Sequence, residues 1–324
     1  MQILSLQTYF EMGISTFLML FFGLALLILG GNLLLKSAVS ISLKFNVAKI
    51  LIGMTVVSFA TSAPELIVSI KSALLGSSDL AVSNVLGSNI ANIGLVLGLI
   101  ILISPIQIPK DIYRLDWPVM MISAILFYIF ILDLKIQRYE GVILFSSLIV
   151  SIIILIKQRS KNNQDIELDS EKTDTVIKSI SILILGAFFL YLGSEWFVLA
   201  AIDIANYFNI SQRIIGISVV SVGTSIPELA TSLVAILKKE KNISIGNLIG
   251  SNIFNVFAVL GITSILIPLN VVDLNLIQFD IYIMIFFAFV IFPLIFFPKR
   301  LVLGRMEGSL IFGCYIFYIY SIIN

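Results

Sequence analysis

The sequence predicts an all-α integral membrane protein of ten transmembrane helices, built as two inverted five-helix repeats with broken second and seventh helices. Three observations carry that expectation. Hydrophobic residues fill 59% of the 324 positions, only 12% are charged, and mean hydropathy is +1.10, far outside the range of soluble domains. Apolar runs long enough to cross about 30 Å of hydrocarbon recur along the whole chain. The two halves also align without a gap across their most polar membrane segments.

In chain order the runs fall at 13–35, 50–75, 80–103, 117–134 and 141–156, then at 177–205, 214–237, 243–266, 279–298 and 307–323. The first is too long for a signal peptide and lacks a basic leader and a small-residue cleavage site, so it is expected to stay as a span. Between the fifth and sixth runs lies KQRSKNNQDIELDSEKTD, Lys157 to Asp174. Its acids lack the spacing and the bidentate glutamate of a loop that wraps Ca²⁺, and it reads as a polar linker. The expected organisation is a first repeat at 1–156, a linker at 157–176 and a second repeat at 177–324.

Lysine and arginine concentrate in short cytoplasmic loops. With the N-terminus outside, only Lys71, Lys135, Arg138 and Arg213 of the 20 basic residues fall on the outer side. Both termini are therefore expected outside and the linker in the cytoplasm, in the cell membrane. Histidine is absent, which excludes zinc sites of the His type, Ser-His-Asp hydrolases and histidine proton relays. The lone Cys314 can form no internal disulfide and reads as a small hydrophobe in packing. No basic cluster with interleaved aromatics points to nucleic acid, and nothing indicates a cofactor or an obligatory protein partner.

FNVAKILIGMTVVSFATSAPELIVSI (Phe45 to Ile70) aligns with FNISQRIIGISVVSVGTSIPELATSL (Phe208 to Leu233) at an offset of 163. The same offset relates Gly87-Ser88-Asn89-Ile90 to Gly250-Ser251-Asn252-Ile253 and Asn92 to Asn255. With five spans per half, equivalent helices cross in opposite directions, the signature of an inverted repeat. The loops agree: Gly76 to Asp79 carries no basic residue, whereas the equivalent KKEKN has three.

Each repeat places a carboxylate, Glu65 or Glu228, deep in a span directly after a proline. A charge at that depth normally faces a protein interior or a wet cavity and marks a function. Pro64 and Pro227 have no N–H, so the carbonyls of Ala60 and Gly223 lose their helical donors and the helices break. Freed carbonyls are hard oxygen ligands. Ser58, Thr61 and Ser62 share the face of Glu65, and Ser221, Thr224 and Ser225 share that of Glu228. The following spans read N-x-x-x-S-x-x-x-N, stacking Asn84, Ser88 and Asn92 in one half and Asn247, Ser251 and Asn255 in the other. Gly87 and Gly250 let these stripes approach the breaks. Two carboxylates with neutral oxygens suit a Ca²⁺ ion, and the same charge balances two Na⁺ or two protons.

Serine and threonine in membrane helices also bond their own backbone, and Asn84 and Asn247, farthest from the glutamates, read as packing. Glu195, in GSEWF, is open between an ion ligand and a helix contact; Asp203 reads as a solvated boundary residue. An enzyme lacks a nucleophile with a base, so none is expected. A cation channel is the rival from another class, against which an inverted repeat with broken helices favours alternating access.

The paired G-[TS]-S-x-P-E-L and G-S-N-I-x-N motifs resemble the α-repeats of the cation/Ca²⁺ exchangers, in particular prokaryotic Na⁺/Ca²⁺ exchangers, with motif cores at about 45–98 and 208–261. The resemblance implies a secondary active antiporter exchanging Na⁺ for Ca²⁺, with the first and sixth helices sliding as a gating pair. It implies Glu65 and Glu228 as shared ion carboxylates, Thr61 and Thr224 as backbone ligands of Ca²⁺, and Ser58, Ser62, Ser88, Ser221, Ser225 and Ser251 as ligands completing Na⁺ sites, with Asn92 and Asn255 central. Proton-coupled relatives share this pattern, so H⁺/Ca²⁺ exchange stands as the alternative. Two departures stand out: some relatives have aspartate where Asn255 is, and Ala60 replaces the usual glycine before Thr61.

Overall fold

The computed structural model of the chain describes residues 2–45, 47–160, 175–207 and 221–323. Most of the linker and the stretch Phe208 to Val220, with Arg213, lie outside the described residues. Helix α1 is Gln2–Phe45. A bent pair follows, α2 (Lys49–Thr61) and α3 (Ala63–Leu74), then α4 (Ser78–Ile103), α5 (Ile112–Ile131) and α6 (Arg138–Ser160). Helix α7 is Val176–Tyr207. After it come α8 (Ser221–Thr224), α9 (Ile226–Leu237), α10 (Lys241–Leu266), α11 (Leu276–Phe296) and α12 (Arg305–Ile323).

The protein is an all-α membrane protein. Among the described residues seven helices are long and apolar enough to cross a membrane, eight when the bent α2–α3 pair is one span. The element order of 49–160 recurs in 221–323. Even unusual backbone recurs: Gly76 (φ +80°) matches Lys239 (φ +65°) where α3 and α9 end, and Leu134 (φ +66°) matches Leu301 (φ +61°). Four two-residue strands join the two sets of helices, β1 (Ile106–Gln107) with β4 (Val302–Leu303) and β2 (Lys135–Ile136) with β3 (Leu269–Asn270), both antiparallel. Exchanging the two halves converts one strand pair into the other.

Helices α4 and α10 are the centre of the bundle, with 72% and 89% of their apolar windows buried, whereas α1 and α7 lie outside it and pack on each other along their length. Two glycine pairs make that contact possible. A Cβ on Gly30 would stand 2.8 Å from the carbonyl oxygen of Gly186, and one on Gly23 would stand 3.0 Å from that of Gly193. Along this seam the backbones meet through dispersion with little bulk between them, and hydrogen bonds join the helices toward their ends, Ser37 and Ser40 with Ser179 and Thr16 with Asp203. Where the start of α5 meets the end of α6, Arg159 pairs with the wholly buried Asp116 and reaches Met54 on α2. A buried charge there is tolerated because its partner is fixed.

Gly30→Val is expected to wedge α1 from α7, since backbone, not a flexible side chain, occupies the space. The apparent melting temperature in detergent should fall by several degrees, whereas Gly313→Ala, which meets nothing within 4 Å, should leave it unchanged.

Candidate ion site

The breaks fall where proline demands them. Ser62 leaves helical geometry (φ −85°, ψ 4°), α2 and α3 meet at 42°, and Pro64 sits within the first two residues of α3. Ser225 (φ −91°, ψ 3°) and Pro227 do the same between α8 and α9. In the first turn a missing N–H costs nothing, so each proline starts a helix while ending the one before. Ala60 in place of glycine does not prevent the bend.

Ser62-Ala63-Pro64-Glu65 and Ser225-Ile226-Pro227-Glu228 have the spacing of a capping box, in which serine and glutamate would satisfy their own helix start. Neither serine caps its helix. Ser62 instead donates across the break to Glu228 Oε1 at 3.3 Å, and the Ser225 hydroxyl has no partner among the described residues. These side chains are turned from helix capping toward a shared centre.

That centre is wholly buried. Glu65, Glu228, Ser58, Thr61, Ser88, Ser251, Asn92 and Asn255 expose no surface, and Ser62 and Ser225 expose almost none. Cross-half bonds assemble them. Thr61 Oγ1 donates to Asn247 Oδ1 at 3.2 Å and lies 3.3 Å from Ser251 Oγ. The equivalent pair in the other half, Ser88 and Thr224, is 3.1 Å apart. Glu228 faces Thr61, Ser62 and Ser251, and the two carboxylates act on each other electrostatically. Ser58 is committed to backbone, donating to Gly53 O (2.8 Å) and Asn247 O (2.9 Å). A Cβ on Gly250 would collide with Ser58 Oγ and with Met54, so glycine is what brings α10 onto α2. The side chain of Ser221 lies outside the described residues.

Asn84 donates to the carbonyl of Glu65 (3.2 Å) and to Ser69 (3.0 Å), while Asn247 donates to Ser232 (3.1 Å). They hold the broken helices to their neighbours. Asn92 and Asn255 each open a π-helical turn, 92–97 and 255–260, a distortion common at functional sites. No residue pattern in the sequence announces these turns. Glu195 is exposed on α7, and Asp203, also exposed, accepts from Thr16 at 3.3 Å, so neither joins the site.

Most buried polar atoms in proteins are paired. Here both carboxylate oxygens of Glu65, Glu228 Oε2, Ser225 Oγ and the amide groups of Asn92 and Asn255 have no hydrogen-bond partner among the described residues. The concentration of unpaired oxygens around two carboxylates is the chemistry of a hard-cation site. Among the described residues no three His, Cys, Asp or Glu gather, so a site here would rest on two acids and neutral oxygens.

The family profile described as Sodium/calcium exchanger protein matches residues 15–157 and 178–324. The sodium/calcium exchanger MaX1 of Methanosarcina acetivorans is 31% identical over 80% of this chain and 85% of its own length. The inner membrane protein YrbG of Escherichia coli is 34% identical over 77% of this chain and 79% of its own. Among solved structures, the sodium-calcium exchanger NCX_Mj soaked with Na⁺ and Sr²⁺ superposes with a TM-score of 0.80 and 30% identity, covering 95% of this chain and 98% of that one.

Two buried carboxylates with three of their four oxygens unpaired strain the ion-free protein. Glu65→Gln or Glu228→Gln is therefore expected to raise its melting temperature in chelator by several degrees while abolishing the stabilisation that added Ca²⁺ gives the parent. Thermal scans with and without Ca²⁺ check both halves of this expectation.

Proposed function

The chain belongs to the sodium/calcium exchanger family, and from that premise we propose that it is an antiporter that exchanges Na⁺ for Ca²⁺ by alternating access. The observation that carries the proposal is the set of unpaired, fully buried oxygens centred on Glu65 and Glu228. Ca²⁺ takes six to eight oxygens and tolerates irregular geometry. Two carboxylates, the carbonyls beside the proline breaks at Thr61 and Thr224, and nearby hydroxyls and amides make up such a set.

Charge decides the mechanism. Two carboxylates neutralise one Ca²⁺ or two Na⁺, and a second load in the same buried space would leave uncompensated positive charge, which costs several kcal/mol. The loads therefore displace one another. In this assignment Ser62, Ser88, Ser225 and Ser251 contribute to Na⁺ positions flanking the shared centre, with Asn92 and Asn255 inside it and Ser58 and Ser221 at its edges. Ser58 enters through its carbonyl, because its hydroxyl is held by Gly53 and Asn247. Asparagine at 255 keeps the centre to two titratable groups, so proton competition is confined to the glutamates.

The ten-helix, inverted-repeat architecture belongs to the same proposal. Its support is the recurrence of broken helix, π-helical turn, strand and helix at a near-constant offset, together with strand pairs that interchange when the halves are exchanged. Equivalent helices then run in opposite directions, and α1 and α7 are the equivalent outer pair whose glycine seam permits sliding. The termini lie outside, with Lys238, Lys239 and Lys241 at the cytoplasmic turn after α9.

The test is ⁴⁵Ca²⁺ uptake into proteoliposomes loaded with Na⁺, compared with vesicles carrying only a pH gradient. Uptake driven by the Na⁺ gradient, saturating with Ca²⁺ and falling at least 100-fold in Glu65→Gln and Glu228→Gln, is expected. Uptake driven by the pH gradient alone would place the protein with proton-coupled exchangers, and non-saturating flux would make it a channel.

A further inference from the structure

We propose that Thr231 is an ion-path residue, a hydroxyl that exchanged cations meet one helical turn beyond Glu228 on the route toward the 238–240 turn. The proposal rests on the exchange reading above. Thr231 is three residues past Glu228 on α9 and exposes no surface, and its Oγ1 has no hydrogen-bond partner among the described residues. Its position on the helix lies between two packed faces. One carries Glu228, Ser232 and Ala235 toward α10; the other carries Ala230 and Val234, which lie so near Gly31 of α1 that a Cβ there would stand 3.2–3.5 Å from them.

The surroundings are apolar. Leu34, Leu35 and Ala38 of α1, Val57 of α2, Ala235 of α9 and Ile243 of α10 belong to one buried cluster that closes this side of the site. At its rim Lys49 and Glu240 form an ion pair at 2.9 Å, tying the start of α2 to the α9–α10 turn. An unpaired hydroxyl next to such a plug opposes the closed packing, whereas valine would fill the same volume without that cost. The equivalent position of the other half is a valine, Val68.

A second orphan continues the route. The Asn247–Ser232 bond sets the register of the α9–α10 hairpin and places Ser244 opposite Ala235, one rung nearer the turn. Ser244 is also wholly buried, with its Oγ unpartnered among the described residues, and its equivalent in the other half is Ala81. At these two positions this half carries hydroxyls where the other has Val68 and Ala81, while the other half's own buried hydroxyl on this stretch is Ser72, where this half has Ala235. Movement of α1 off α9 would open the plug and give Thr231, then Ser244, to a partly dehydrated cation leaving Glu228.

The experiment uses the full chain in proteoliposomes, carrying Cys314→Ser and Ala38→Cys, with labelling by a membrane-impermeant maleimide and ⁴⁵Ca²⁺ turnover read in parallel. Thr231→Val should slow labelling at position 38 and lower turnover roughly 5- to 100-fold, the range set by an unpaired buried hydroxyl, with external half-saturation unchanged. Thr231→Ser, which restores the hydroxyl, should keep both near the parent values. Parent-like labelling and turnover in Thr231→Val, or equal loss in Thr231→Ser, would overturn the proposal. If Thr231→Val is not monodisperse, Thr231→Ala supplies the same comparison without added bulk. A parent that labels but moves no Ca²⁺ on a Na⁺ gradient would remove the exchange reading, whereas a transporting parent with an indifferent Thr231→Val removes this inference alone.

Discussion

Two carboxylates that share one buried space, with no basic residue beside them, are the constraint on which the rest of the structure depends. Arg159 shows that the protein can pair a buried acid when it needs to, since Asp116 has a guanidinium fixed against it. Glu65 and Glu228 have none. In the proposed exchange their charge is met by ions that enter and leave, and the local devices around them serve that condition. The proline breaks expose carbonyls, the serines at the breaks turn away from capping, and glycine at 250 brings a second oxygen-bearing helix into contact.

The centre and the outer helix pair are built from different contacts. Around the site, asparagines and hydroxyls are tied down within and across the halves: Asn84 to the carbonyl of Glu65 in its own half and, across the halves, Ser58 to the carbonyl and Thr61 to the side-chain amide oxygen of Asn247. Each bond is worth only about 1 kcal/mol, but together they fix the oxygens to within the tolerance a cation site needs. The outer pair α1 and α7 meets instead along a glycine seam, with hydrogen bonds toward its two ends, Ser37 and Ser40 with Ser179 and Thr16 with Asp203. The seam itself has little registry to lose when one helix moves along the other, whereas the bonds at its ends must exchange partners. In the proposed exchange, the densely bonded centre would stay fixed while the glycine seam of the outer pair lets one helix move on the other.

The broken helices and their acids were legible in the sequence because proline, glutamate and the duplication coincide, and the polar stripes because serine and asparagine repeat every four residues. The rest was hidden for physical reasons. The π-helical turns at Asn92 and Asn255 depend on how α4 and α10 pack at the centre, and no residue type encodes them. The strand pairs are two residues long, too short for a period to register. Glu195 could not be oriented because α7 is apolar all round, so its exposed position emerged only from packing on α1. Thr231 looked like an ordinary helix residue, and only burial without a partner distinguishes it from the many hydroxyls that bond their own helix. The sequence equivalence of Gly23 and Gly30 with Gly186 and Gly193 was available at the same offset as the motifs, but its meaning needed the antiparallel contact.

The central claim is that one carboxylate pair holds either load and never both. Anomalous diffraction from crystals soaked in Sr²⁺ at increasing Na⁺ concentration tests it most directly. One divalent peak between Glu65 and Glu228, fading as Na⁺ rises and absent in Glu228→Gln, is the result the account predicts. A divalent peak elsewhere, or one that persists undiminished at saturating Na⁺, would contradict it.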